Sequence, residues 1–128
     1  MLVRRVGAGA AIGYGATFHA PRDMRVGVVP LGYADGIPRA LSNRGAFLVD
    51  GVRCPIVGRI AMNLTEIDLT PAPGATVGSA VTLIGSDCDD EIAADDWAAW
   101  TDTINYEVVA RLPREVPRVF TDSESASP

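Results

Sequence analysis

The stretch Ala46-Phe47-Leu48-Val49-Asp50-Gly51-Val52-Arg53-Cys54-Pro55-Ile56-Val57 decides the fold class. Phe47 and Val49 alternate on one side of Asp50-Gly51, and Val52, Cys54 and Ile56 continue the alternation beyond it. Such a pattern puts every second side chain on one face of a strand, and Asp-Gly suits the type I′ turn of a tight hairpin.

Toward the N-terminus, residues 25–30 form a Val-rich strand and residues 2–6 a shorter one, with Asp35-Gly36 marking a turn between 25–30 and the hairpin. The first strand opens without a cap or turn signal, as though the chain were cut from something longer. Toward the C-terminus, residues 58–63 continue as a strand into 64–70, Pro71-Ala72-Pro73-Gly74 turns the chain, and residues 80–85 form a further strand. An acidic loop follows over residues 86–91. Asp95 or Asp96 caps a short helix over residues 96–101 that places Trp97 and Trp100 on one face, as core. Residues 104–112 read as a long strand, and 115–120 as a last strand that Pro117 confines to an edge. Seven or eight short strands with one helix give an all-β, mostly antiparallel fold, expected as a small closed or nearly closed β-barrel. Residues 1–120 make one domain and 121–128 a disordered, Ser- and acid-rich tail.

The chain has 128 residues, 48% of them hydrophobic, and a net charge of −5. That size allows one domain with a genuine core, and the charge gives no support to a nucleic-acid partner. No stretch approaches the roughly 18 apolar residues of a membrane span. The first twenty residues mimic a signal peptide, but the apolar run is too short and Gly-rich. Cys54 and Cys88 lack zinc-ligand spacing and read as free thiols in a reducing compartment, so the protein is expected to be cytoplasmic and without a metal site. All 11 basic residues are arginine. A chain without lysine cannot form a Schiff base on its own.

Two candidate motifs precede the Val-rich strand. Gly7, Gly9 and Gly13 approach a dinucleotide-binding fingerprint, but the spacing is one residue too long and no helix follows. Tyr14 stands between Gly13 and Gly15, where the missing Cβ atoms let a second molecule approach the backbone. On residue chemistry alone this fits either a functional phenol or an ordinary core aromatic.

Five segments taken together carry a resemblance. Gly13-Tyr14-Gly15-Ala16-Thr17-Phe18, Pro30-Leu31-Gly32-Tyr33-Ala34-Asp35-Gly36, Pro55-Ile56-Val57-Gly58-Arg59-Ile60-Ala61-Met62, Thr103-Ile104-Asn105-Tyr106-Glu107 and Val116-Pro117-Arg118-Val119-Phe120 resemble, in order and spacing, the C-terminal domain of alanine racemases. The resemblance implies a fold-type III pyridoxal-phosphate enzyme whose preceding barrel domain binds the cofactor and supplies the Schiff-base lysine. It implies a homodimer that interconverts L- and D-alanine and so supplies D-alanine for peptidoglycan. This chain alone would be inactive and hold no cofactor. Tyr14 corresponds to the catalytic tyrosine facing the partner subunit's cofactor, opposite the lysine. Tyr33 and Tyr106 correspond to tyrosines that close the pocket, the latter near the cofactor phosphate. Met62 corresponds to the residue whose backbone N–H meets the substrate carboxylate, and Arg39, Arg59 and Ile104 to residues lining the corridor by which substrate enters.

Two bases on opposite faces of Cα are the economical route to racemisation. A phenol, with a pKa near 10, needs a cationic or hydrogen-bonding helper to act as one. His19 sits at an odd offset from Tyr14, so the helper is expected from the barrel domain. Asn63 departs from the aspartate common in the family after Met62, which leaves a racemase of another amino acid, such as serine, as one alternative. A non-catalytic β-barrel assembly module is the other. Glu66 with Asp68, on a polar strand face, and Asp95 with Asp96, at a helix cap, are assigned no catalytic role.

Overall fold

The computed structural model describes residues 1–13 and 15–121, so Tyr14 and the tail from residue 122 lie outside the described residues. In chain order the strands are β1 (Leu2–Val6), β2 (Ala11–Ile12), β3 (Phe18–His19), β4 (Met24–Val29), β5 (Ala46–Val49), β6 (Val52–Pro55), β7 (Thr65–Asp68), β8 (Val81–Thr82), β9 (Gly85–Asp87) and β10 (Asp90–Ile92). Two helices follow, α1 (Ala94–Thr101) and α2 (Asn105–Ala110). All strand pairing is antiparallel, as the alternation predicts: β1-β4-β7 make one sheet, β6-β5-β8 another, and β2/β3 and β9/β10 are hairpins.

The β5–β6 hairpin forms as read. Asp50 and Gly51 have φ of 53° and 75°, the positive values a type I′ turn requires at both central positions. Strand β5 buries Phe47, Leu48 and Val49 completely, so it serves core on both faces. Trp97 packs beside Phe47 with ring centroids 6.4 Å apart, and its indole N–H donates to the Leu83 carbonyl at 3.2 Å. The tryptophans are core, as expected: Trp97 is buried and Trp100 packs against the same cluster. A smaller cluster of Val6, Ile12, Ala20, Met24, Val26 and Val57 sits under the β2–β3 hairpin.

Several expectations are corrected. Among the described residues no closed barrel forms, because a single bridge, Ile56 to Ile67, links the two three-stranded sheets. Residues 105–110 are a helix, not a strand. Ile104, Val108 and Leu112 recur every fourth residue, and Glu107 takes hydrogen bonds from Thr103 and Arg111, one turn to either side. These local pairs outweigh the strand preference of Val108 and Val109. Residues 115–120 make no strand; Pro113 and Pro117 lack the donors a ladder needs, and Val119 and Phe120 are exposed.

The acidic loop contains a hairpin, β9–β10, which Gly51 and Arg53 anchor: the Gly51 N–H donates to Asp87 at 2.9 Å and Arg53 pairs with Asp90 at 3.0 Å. Helix α1 begins at Ala94, two residues earlier than read, because the Asp96 carboxylate reaches back to the Ala93 N–H at 2.7 Å. Glu66 is not on a polar face but nearly buried, bonded to Arg4 at 2.9 Å.

Candidate functional site

Residues 57–64, between β6 and β7, form an irregular ribbon rather than the expected strand, and the ribbon positions most of the singled-out residues. Two of its amides go to side chains instead of a ladder. Ile60 N–H donates to the Ser42 hydroxyl at 2.9 Å and Gly58 N–H to the Asn43 side-chain oxygen at 2.6 Å. Ser42 and Asn43 are held in turn by the 3-10 turn Arg39–Leu41, whose Leu41 is fully buried. On the opposite side Val57 N–H donates to the Glu66 carbonyl at 2.9 Å, and Ala61 N–H to the Leu64 carbonyl at 3.0 Å.

The Gly13–Gly15 segment lies directly on this ribbon. A Cβ on Gly13 would fall 2.7 Å from the Arg59 nitrogen, and one on Gly58 would fall 2.6 Å from the Ile12 carbonyl oxygen and 2.8 Å from the Gly13 Cα. The contact is backbone against backbone, which only glycine at both positions allows. Arg59 lays its guanidinium over Gly15, 3.6 Å from where a Cβ would stand. Asn43 donates from its amide nitrogen to the Thr17 hydroxyl at 3.2 Å. Tyr14 lies outside the described residues, but its two glycine neighbours are fixed by these contacts. His19 follows Phe18, whose ring packs on the smaller core, and is itself exposed.

Further along, the ribbon carries the Tyr33 turn. Tyr33 and Ala34 donate their N–H groups to the carbonyls of Ala61 and Met62, each at 3.0 Å. A side chain on Gly32 would strike those same carbonyls, and Asp35 closes the turn by accepting from Gly32 N–H at 3.0 Å. Tyr33 and Met62 are therefore neighbours, 42% and 53% exposed. The Met62 N–H donates to no group among the described residues. Tyr33 shares an open cleft of about 480 Å3 with Arg39, Arg111 and Pro113.

Ile104 and Tyr106 lie apart from the ribbon, at the start of α2, in a different cleft with Asp95 and Ala98. Tyr106 is 77% exposed. Asn105 fixes the corner between the helices by donating to Asp95 at 2.8 Å. In the same helix, the Thr103 hydroxyl foremost, and then Arg111, hold the Glu107 carboxyl below its ordinary range. A cavity of about 570 Å3 elsewhere contains none of the residues to which the resemblance gives a role; Arg5, Arg22 and Arg25 line it, and the last two are engaged by Asp68, Thr70 and the Pro73 and Ala75 carbonyls.

The structure thus brings Gly13, Gly15, Tyr33, Arg59 and Met62 onto one ribbon, puts Arg39 beside Tyr33, and keeps Ile104 and Tyr106 separate. Sequence reasoning missed Ser42, Asn43 and Gly58 as organisers, reading 42–43 as a polar connection. Their partners lie 15 to 18 residues away. Only the tolerance of Asn for left-handed backbone hints at Asn43, whose φ is 60°.

The residues of this chain do not by themselves seat pyridoxal phosphate: there is no lysine to hold its aldehyde, and Tyr33, Met62 and Tyr106 face open surface. Among the described residues there is no metal-binding cluster, and no helix is long and apolar enough to cross a membrane.

Comparison with known proteins places these features in a family. The model of the alanine racemase C-terminal domain matches residues 1–120. An alanine racemase from Leptospira interrogans is 49% identical over 115 residues, covering 90% of this chain and 30% of that protein. The crystal structure of alanine racemase from D-cycloserine-producing Streptomyces lavendulae superposes with a TM-score of 0.87 at 39% identity, over 98% of this chain and 33% of that one. That of alanine racemase from Bartonella henselae with covalently bound pyridoxal phosphate superposes at 0.82 and 30% identity, over 94% of this chain and 33% of that one. The chain spans about a third of the length of these relatives.

Proposed function

The chain belongs to the alanine racemase C-terminal domain family, and from that premise we propose that it works as this domain of a pyridoxal-phosphate-dependent alanine racemase. The Bartonella henselae relative holds pyridoxal phosphate covalently. The lack of lysine here supports assigning the cofactor's seat to a barrel domain joined to this chain. When bound, the cofactor spreads the charge left at Cα after a proton departs.

In this reading Tyr14 exchanges the Cα proton of alanine on one face, and a base outside this chain serves the other. Its phenol comes from one subunit of a homodimer to a site in the partner. Tyr33 and Tyr106 close the pocket, and Tyr106 faces the cofactor phosphate. The Met62 N–H receives the substrate carboxylate, while Arg39, Arg59 and Ile104 line the approach. The enzyme acts in the cytoplasm and supplies D-alanine to peptidoglycan precursors. The observation that carries the proposal is the ribbon at residues 57–64: it binds the glycines flanking Tyr14 at one end and, at the other, the Tyr33 turn beside a Met62 N–H that has no partner among the described residues. Those are the segments on which the resemblance rests.

The test is Tyr14→Phe in the full-length racemase. Racemisation from L-alanine should fall by about two to four orders of magnitude, the range of a lost general base, while the cofactor's absorbance is retained. An unchanged rate refutes the assignment of Tyr14. In parallel, residues 1–128 mixed with pyridoxal phosphate and borohydride should trap no stoichiometric adduct beyond one on the Met1 α-amine, since no side chain carries an amine. A stoichiometric adduct mapped to any residue other than Met1 would refute the division of labour between domains.

A further inference from the structure

We propose that Asn43 is a positioning residue for proton exchange, fixing the segment that carries Tyr14 against the Gly58–Arg59 backbone. The inference rests on the reading of Tyr14 given above. Asn43 lies immediately after the 3-10 turn Arg39–Leu41 and has a left-handed backbone, φ 60°, that turns its side chain toward the ribbon. Gly58 N–H can only donate, so the oxygen of the Asn43 amide must face it, at 2.6 Å. That leaves the amide nitrogen for the Thr17 hydroxyl, at 3.2 Å. One planar group therefore joins the ribbon on one side of the Tyr14 segment to the residue three positions beyond Tyr14.

No other described side chain makes both connections. Ser42 fixes the amide two residues further along the ribbon, Ile60 N–H, at 2.9 Å, so Arg59 is held between two anchors. Gly13 rests on the Arg59 nitrogen and the Gly58 Cα. A shift of Gly58 is thereby transmitted to Gly13 through direct backbone contact, with no flexible side chain to absorb it. Among the described residues, the hydrogen bond within the segment itself is Ala16 N–H to the Gly13 carbonyl at 3.3 Å, a bond internal to the loop that sets its shape but not its position. Proton transfer is sensitive to displacements of about 1 Å, which can cost on the order of a hundredfold in rate.

The variant of choice is Asn43→Gly, because glycine tolerates the left-handed backbone while removing both side-chain bonds. Asn43→Asp is the rescue: its carboxylate accepts from Gly58 N–H and can accept in turn from the Thr17 hydroxyl. Both are made in the full-length racemase beside Tyr14→Phe. Amide hydrogen exchange at Gly58 should speed up by roughly tenfold or more in Asn43→Gly and return toward wild type in Asn43→Asp, a readout independent of turnover. Racemisation kcat should fall by about 10- to 100-fold in Asn43→Gly, with KM for alanine within about threefold.

Deuterium uptake at Cα of D-alanine with retention of configuration, which uses only the base opposite Tyr14, should stay within about threefold of wild type. Asn43→Asp should recover most of the racemisation rate. Racemisation and D-alanine deuteration falling together would show general damage and overturn the proposal, as would unchanged racemisation once Gly58 exchange has accelerated. If Tyr14→Phe itself leaves racemisation unchanged, the reading of Tyr14 fails; if it abolishes racemisation and Asn43→Gly does not impair it, only the role of Asn43 falls.

Discussion

A single methyl group at Gly58 should unseat the Gly13 segment, and a series of three Gly→Ala substitutions measures the cost. Gly74 has an ordinary φ and open space around it, so alanine there should be neutral or stabilise by up to about 1 kcal/mol through the unfolded chain. Gly9 also faces open space but has φ +85°, so alanine should cost about 1–2 kcal/mol of backbone strain alone. Gly58 combines φ +79° with a Cβ position 2.6 Å from the Ile12 carbonyl oxygen and 2.8 Å from the Gly13 Cα. Neither atom belongs to a side chain that could rotate away. Displacing packed backbone adds an overpacking cost of about 1–3 kcal/mol, for a total of roughly 2–5 kcal/mol.

Urea unfolding followed by tryptophan fluorescence is the assay, with the buried Trp97 as reporter. At an m-value of about 2 kcal/mol/M, the Gly58→Ala midpoint should lie roughly 0.5–1.5 M below that of Gly9→Ala. If the two variants agree within about 0.5 kcal/mol, the backbone contact between Gly13 and Gly58 carries no energy and the reasoning fails.

Two further outcomes follow from the core. Burial, aided by Asp68 and Asp50, raises the Cys54 thiol to about 11, from an ordinary value of 9.0. Its folded value exceeds its unfolded one, so its contribution is fully present below pH 9.0, then lost as pH rises toward 11, by up to about 2–3 kcal/mol. Cys54→Val should remove that alkaline loss from a pH series of urea midpoints, and a thiol reagent at pH 8 should label Cys88, exposed at a hairpin turn, and spare Cys54 until the chain unfolds. Trp97→Ala should lower stability by about 3–5 kcal/mol, since it removes the largest fully buried side chain, its contact with Phe47 and the bond to Leu83; a loss below about 1 kcal/mol in equilibrium unfolding would mean that the α1 side of the core is not packed as described.

The candidate site was legible in part. The motifs that flank Tyr14, Tyr33 and Met62 were legible, and the ribbon explains why each of the three carries a glycine: Gly13, Gly32 and Gly58 each face backbone atoms at distances no Cβ could occupy. Asn43 was not found, because a hydrogen bond from an isolated Asn to an amide 15 residues on leaves no periodic trace. The helical stretch at residues 105–110 was misread for a different reason. Its β-branched residues suit a strand, and the fourfold spacing of Ile104, Val108 and Leu112 competes with that preference over too short a window to decide.

What the amino-acid order determined was local: the alternation and the Asp50-Gly51 turn that set the β class, the thiols left unpaired, the lysine-free composition that removes Schiff-base chemistry from this chain, and the motifs that mark its family. What only the tertiary structure decided was which distant segments share an edge. The Ile56–Ile67 bridge leaves the sheets unclosed, Asp87 and Asp90 turn an acidic run into a hairpin by reaching Gly51 and Arg53, and residues 57–64 become a ribbon because Ser42 and Asn43 take two of its amides. The physical reason is that turns and alternation act over a few neighbouring residues, whereas an amide finds its acceptor wherever the folded chain brings one, and each buried donor must find one.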